Sequence, residues 1–121
     1  MMDASPPFVF LFADTPARVV VVRAEGELDG RYAPRFRDQV DTALRIPHIR
    51  AVIIDLSAVP LCGAMGIAEL LHADRHGRHA QVPLLLIGVR QAVLERLATA
   101  GLATLFTIHP TLAESLAHLR A

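Results

Sequence analysis

The chain has 121 residues, 12 basic and 12 acidic side chains, a formal net charge of +0 and 53% hydrophobic residues. That length suits one domain with a single core, the balanced charge argues against a nucleic-acid surface, and no apolar run reaches the length of a membrane span. Every basic residue is Arg and no Lys occurs, which removes lysine Schiff-base chemistry and the lysine of a phosphate-binding loop.

The N-terminal stretch Met1 to Pro7 reads as a loose terminus, since Asp3, Ser5 and two prolines resist regular structure. Phe8 to Phe12 reads as a first strand. It is short and has no basic residue before it, so it makes a poor signal peptide. Asp14-Thr15-Pro16 is the expected turn. Arg18 to Glu27 reads as a second strand, and its run Val19 to Val22 suits burial on both faces. Residues 1–17 are thus a terminus with a first strand, and residues 18–121 the body of a single domain. Tyr32, Phe36, Val40, Ala43 and Leu44 recur at helical spacing, with Arg35, Asp38 and Asp41 opposite. Asp29 is the expected N-cap of this helix, Pro34 fits its first turn and Pro47 ends it.

Ala51 to Leu56 reads as a third strand and Ala64 to His79 as a second helix, with Ile67, Leu70 and Leu71 facing inward. Leu84 to Ile87 is a fourth strand. Gln91 to Ala100 is a third helix, stopped by Gly101 in a left-handed conformation. Leu105 to Ile108 is a short edge strand, and Thr111-Leu112-Ala113-Glu114 is a capping box opening a last helix with Leu112, Leu116 and Leu119. Alternation of strands and helices after residue 18 predicts an α/β fold, one mixed and mostly parallel sheet with helices packed on it.

The chain resembles the STAS domain family of bacterial anti-sigma-factor antagonists. The likeness spans about residues 18–120 and rests on Gly26-Glu27-Leu28-Asp29, Asp55-Leu56-Ser57-Ala58-Val59, Gly66-Ile67-Ala68-Glu69-Leu70-Leu71, and Gly101 to Phe106 followed by Pro110 to Leu116. In such antagonists the turn before the second helix reads Asp-Ser-Ser-Gly, and the second Ser accepts phosphate. Aligned on Gly66, those positions here are Gly63, Ala64 and Met65, so the phosphoacceptor position holds Met65. A phosphate there would be held by free N–H groups at the helix start and would add about −1.5 to −2 charge. Met65 can do neither.

The resemblance implies a protein-binding regulator with no catalytic residues and no cofactor. It implies docking on an anti-sigma factor of the histidine-kinase-like ATPase class, without phosphorylation control at the usual site. The expected contact residues are Asp29, Arg31, Ser57, Leu61, Cys62, Gly63, Ala64, Met65, Gly66 and Glu69. The alternative is a STAS subunit supporting a lipid-transport ATPase or a larger signalling assembly. In either case no nucleic acid and no membrane insertion are expected, a homodimer remains open, and the expected location is the cytoplasm, consistent with a lone Cys62 that can form no internal disulfide.

Several residues carry two readings. Cys62 is either a redox-sensitive thiol at a helix start or a small apolar residue in the turn. Ser57 is either a substitute phosphosite or a hydroxyl bonded to its own turn. Asp55 ends a buried strand and could pair with an Arg. Asp29 and Arg31 either join the binding surface or serve only the helix start. Met65, Glu69, His72, His76 and His79 step by four, three, four and three residues, placing them on one stripe opposite Ile67, Leu70 and Leu71. That stripe is either a partner-contact face anchored by Met65, a solvated His-rich face that gains charge below about pH 6.5, or a metal site built from Glu69, His72 and His76.

Overall fold

The computed structural model describes the backbone of residues 8–14 and the whole of residues 16–120. The expected loose terminus Met1 to Pro7, and Thr15 of the first turn, lie outside the described residues. The element order is β1 (Phe8–Asp14), β2 (Val19–Glu25), α1 (Ala33–Leu44), β3 (Ala51–Ala58), α2 (Ala64–Ala80), β4 (Leu84–Ile87), α3 (Gln91–Thr99), β5 (Thr107–His109) and α4 (Leu112–Arg120).

Five strands form one sheet in the order β1-β2-β3-β4-β5. β1 runs antiparallel to β2, and β2, β3, β4 and β5 are parallel neighbours. The sheet is therefore mixed and mostly parallel, as the alternating pattern requires. Successive side chains of a strand point to opposite faces. On one face Val20, Val22, Ala24, Val52, Ile54, Leu56, Leu84 and Leu86 meet Phe36, Val40 and Ala43 of α1, Ile67, Leu70 and Ala73 of α2, and Val93 and Leu97 of α3. On the other face Val19, Val21, Ala51, Ile53, Leu85 and Ile87 meet Leu112, Leu116 and Leu119 of α4. The Val19–Val22 run is continuous because both faces of β2 are buried. No described helix is long and apolar enough to cross a membrane.

Several boundaries differ from the sequence expectation by a few residues, among them the ends of β1 at Asp14 and β3 at Ala58, and three of the differences have a visible cause. β2 stops at Glu25 rather than Glu27, because the Gly26 N–H donates to Ala58 O at 2.9 Å and the register with β3 shifts between Arg23 and Glu25. β5 begins at Thr107 rather than Leu105, because the Leu105 N–H turns back to Leu102 O at 3.0 Å. α1 begins at Ala33, so Asp29 is not its N-cap. The Asp29 Oδ1 accepts the Arg31 N–H at 3.0 Å, and its carbonyl accepts the Tyr32 and Ala33 N–H groups, forming a turn ahead of the helix. At the end of α3, Gly101 has φ +75°, and the Leu102 N–H closes on Leu97 O at 2.8 Å, the expected left-handed stop. The Glu114 N–H donates to Thr111 Oγ1 at 3.2 Å and caps α4.

Candidate functional site

In a parallel sheet the loops leaving the carboxyl ends of the strands gather at one edge. Here the loop after β2 and the loop after β3 are stitched together by backbone bonds. Leu28 and Cys62 form a parallel bridge; the Leu28 N–H donates to Leu61 O at 3.1 Å and the Gly63 N–H to Leu28 O at 2.9 Å. Both bridged side chains are buried. Each loop leads directly into a helix, so the bridge fixes where α1 and α2 begin relative to one another.

Gly66 allows this approach. A Cβ at that position would lie 2.4 Å from Leu28 O and 2.6 Å from Cys62 Sγ. Neither distance is tolerable, and the carbonyl belongs to a backbone that the bridge holds in place. Only glycine lets the first turn of α2 lie against the neighbouring loop.

The surface made by this stitching is apolar. Leu61 and Met65 are 52% and 53% exposed, and they are the large exposed hydrophobic residues among those described. Ala64 between them is also exposed. Met65 lies over Gly30, where a Cβ would stand 3.2 Å from Met65 Cγ. Arg31 is exposed beside this patch, its guanidinium 5.6 Å from the centre of the Tyr32 ring. Gly63 is the N-cap of α2 in an extended conformation, with no side-chain cap and no acidic residue in the first turn. The leading N–H groups of the helix thus face the patch without a carboxylate or hydroxyl of this turn to meet them.

The structure brings Asp29, Arg31, Leu61, Cys62, Gly63, Ala64, Met65 and Gly66 together at the joined loops. Cys62 and Gly66 are buried and shape the surface rather than present to it. Burial pushes the Cys62 thiol from its ordinary 9.0 up to about 11, against a smaller opposite effect of Arg96. A thiol held neutral and covered fits the reading of Cys62 as a small apolar residue packed in the turn. Ser57 follows its local reading: its N–H and Oγ both bond Asp55 Oδ1, at 2.9 and 2.7 Å, and its carbonyl accepts from Arg90 Nε at 2.9 Å. Asp55 in turn receives Arg23 Nη1 at 3.2 Å.

Glu69 departs from the expected surface. It is only 5% exposed, and both of its oxygens are taken by Arg37 of α1, Nε to Oε1 at 2.8 Å and Nη2 to Oε2 at 2.9 Å. The bidentate bond holds the Arg37 guanidinium above its ordinary pKa. Glu69 is therefore neither an exposed contact nor a partner of the two histidines. His72 and His76 are half-buried against α1, where Asp41 faces them, and only His79 is fully exposed. The stripe inferred from spacing is split between an interhelical seam and solvent. Arg37 and Asp41 could not be found from helical periodicity, which reads them as solvated; the single signal was their spacing of four residues on one helix.

The comparisons with known proteins agree on the fold. A family model for the STAS domain matches residues 12–115. No curated protein matches the sequence. Among solved structures, one described as an anti-sigma factor antagonist from Thermotoga maritima is similar at TM-score 0.83 and 17% identity, covering 93% of this chain and 95% of that one. The anti-sigma factor antagonist SpoIIAA in its unphosphorylated form is similar at TM-score 0.77 and 20% identity, covering 93% and 96%. A sulfate transporter family protein from Wolinella succinogenes is similar at TM-score 0.74 and 20% identity, covering 85% of each chain.

Proposed function

The chain belongs to the STAS domain family, and from that premise we propose that it is a non-catalytic binding protein that docks an anti-sigma factor of the histidine-kinase-like ATPase class. The contact is the patch of Leu61, Ala64 and Met65, bordered by Asp29 and Arg31. Binding here is not switched by phosphorylation of the turn, because residues 61–66 carry no hydroxyl. The two structures with the same fold that are described as anti-sigma factor antagonists favour an anti-sigma factor as the partner.

The observation that carries the reading is the exposure of Leu61 and Met65 on a turn that backbone bonds to Leu28 hold in place. A flexible thioether beside a branched side chain makes an adaptable apolar anchor. An apolar patch with an uncapped helix start suits a partner that supplies both apolar contact and an acceptor for the free N–H groups. The lone thiol of Cys62 and the absence of a spanning helix among the described residues are consistent with a complex that forms in the cytoplasm.

The test is calorimetric titration of the purified protein against the kinase-like anti-sigma factors of its own host, with Met65→Asp as the paired variant. Binding by the native chain that the variant loses supports the proposal. Binding that ignores the substitution moves the contact elsewhere on the domain. A second reading, a STAS unit serving a transporter, draws on the sulfate transporter neighbour. It requires binding to a transporter protein and none to any anti-sigma factor.

A further inference from the structure

We propose that Asp41, His72 and His76 form a binding site for a divalent first-row transition metal ion, represented by Zn²⁺, that joins helix α1 to helix α2. This inference is independent of the docking reading, since the three residues lie away from the turn at residues 61–66.

One ligand atom from each of the three residues lies within 4.8 Å of the other two. His72 and His76 are four apart on α2, so their imidazoles share one face, with ring centres 5.7 Å apart. Asp41 projects from α1 toward both. The Asp41 Oδ1 is 2.7 Å from His76 Nδ1 and 3.9 Å from His72 Nε2. A zinc ion with Zn–N and Zn–O bonds of about 2.0–2.1 Å sets its ligand atoms about 3.3 Å apart. One separation is shorter than that and the other longer, each by about half an ångström, within reach of side-chain rotation.

The surroundings suit an exchangeable cation. The three side chains are 25% to 38% exposed, so water can reach the ion and complete its coordination. Arg37, one turn before Asp41 on α1, would repel a cation, but its guanidinium is bound to both oxygens of Glu69. That same bond secures α1 against α2 beside the site and pre-sets the spacing across which Asp41 meets the histidines. Two imidazoles and a carboxylate prefer late first-row ions to Mg²⁺ or Ca²⁺, which take oxygen ligands.

The experiment uses untagged full-length protein, stripped with chelator and titrated with Zn²⁺ by calorimetry, with thermal unfolding measured in parallel. The expected result is one ion per chain, a rise in melting temperature that excess chelator reverses, and no such rise with Mg²⁺. His72→Gln, His76→Gln and Asp41→Asn should each weaken binding at least about tenfold while circular dichroism stays native. The His109→Gln variant, which alters the separate His109–His118 pair, should bind normally. Absence of Zn²⁺ binding, or binding kept by the His72→Gln/His76→Gln double variant, would overturn the proposal. So would binding that His109→Gln abolishes.

Discussion

Helix α2 carries two regions built on different principles. Its first turn is defined by backbone: Gly66 lies against Leu28, the loops are bridged, and the exposed groups are apolar and uncharged. Its middle is defined by side chains, with Glu69, His72 and His76 meeting Arg37 and Asp41 of α1. The first region leaves no room for a side chain at Gly66, while its exposed Leu61 and Met65 make its surface. The second is held by paired groups that must be lost together to be lost cheaply. One helix thus joins an exposed apolar turn to a polar seam with a neighbouring helix.

The comparison is broken most severely at Gly66. Gly66→Ala places a Cβ 2.4 Å from a backbone carbonyl. It is expected to destabilise the fold by about 3 kcal/mol, the upper end of the usual cost of overpacking, visible as a lower denaturant midpoint. A near-normal midpoint would show that the loops can separate and that the stitching is soft. In the seam, Arg37→Met leaves the Glu69 carboxylate, 5% exposed, without its partner. The expected fall in melting temperature is smaller than for Gly66→Ala, because Arg37 is itself half-exposed and water can follow it in. The double variant Arg37→Met/Glu69→Met should recover part of that loss, since removing both partners of a pair removes the stranded charge. No recovery would mean that the pair is not the unit that holds the seam.

A third measurement sharpens the backbone side of the comparison. Because the buried Cys62 thiol ionises only near pH 11, the folded chain keeps its proton where the unfolded chain, near 9.0, has lost it. Its contribution is complete below pH 9 and is lost as pH rises from about 9 toward 11. Denaturant melts at pH 8 and pH 10.5 should show this loss, and Cys62→Ala should flatten it. At neutral pH a maleimide should label Cys62 only as fast as the chain opens.

The smallest effect on stability belongs to the patch itself. Met65→Asp changes a side chain 53% exposed. An acid in the first turn of a helix is favourable by about 0.3–1 kcal/mol, so the melting temperature should hold or rise slightly. Partner binding, by contrast, should fall sharply. A variant that unfolds instead would show that Met65 packs for stability on Gly30 rather than waiting for a partner.

Much of this was legible in the chain. The continuous valines of β2, the Gly101 stop and the Thr111 cap announce themselves through local chemistry, and the structure places them accordingly. The glycine and apolar residues of the 61–66 turn are equally local, since the missing hydroxyl is a property of the residues themselves. Periodicity failed where a polar residue is buried against another helix. It assigned Glu69 to an open stripe because spacing within one helix says nothing of what stands opposite, and it left Asp41 among solvated groups for the same reason. Asp29 was misread as a helix cap because its side chain closes a turn two residues on, ahead of the helix.

The sequence by itself determined the order of elements, a mixed sheet buried on both faces, and a helix start without a phosphorylatable group. Those follow from side-chain period, turn chemistry and residue identity, all of which act over a few neighbours. Only the tertiary structure decided that Leu28 bonds across to residues 61 and 63, that Arg37 claims Glu69, and that Asp41 meets two histidines. Each of these joins groups more than thirty residues apart in the chain. Their meeting depends on how helices dock on a shared sheet, a geometry that no local pattern encodes.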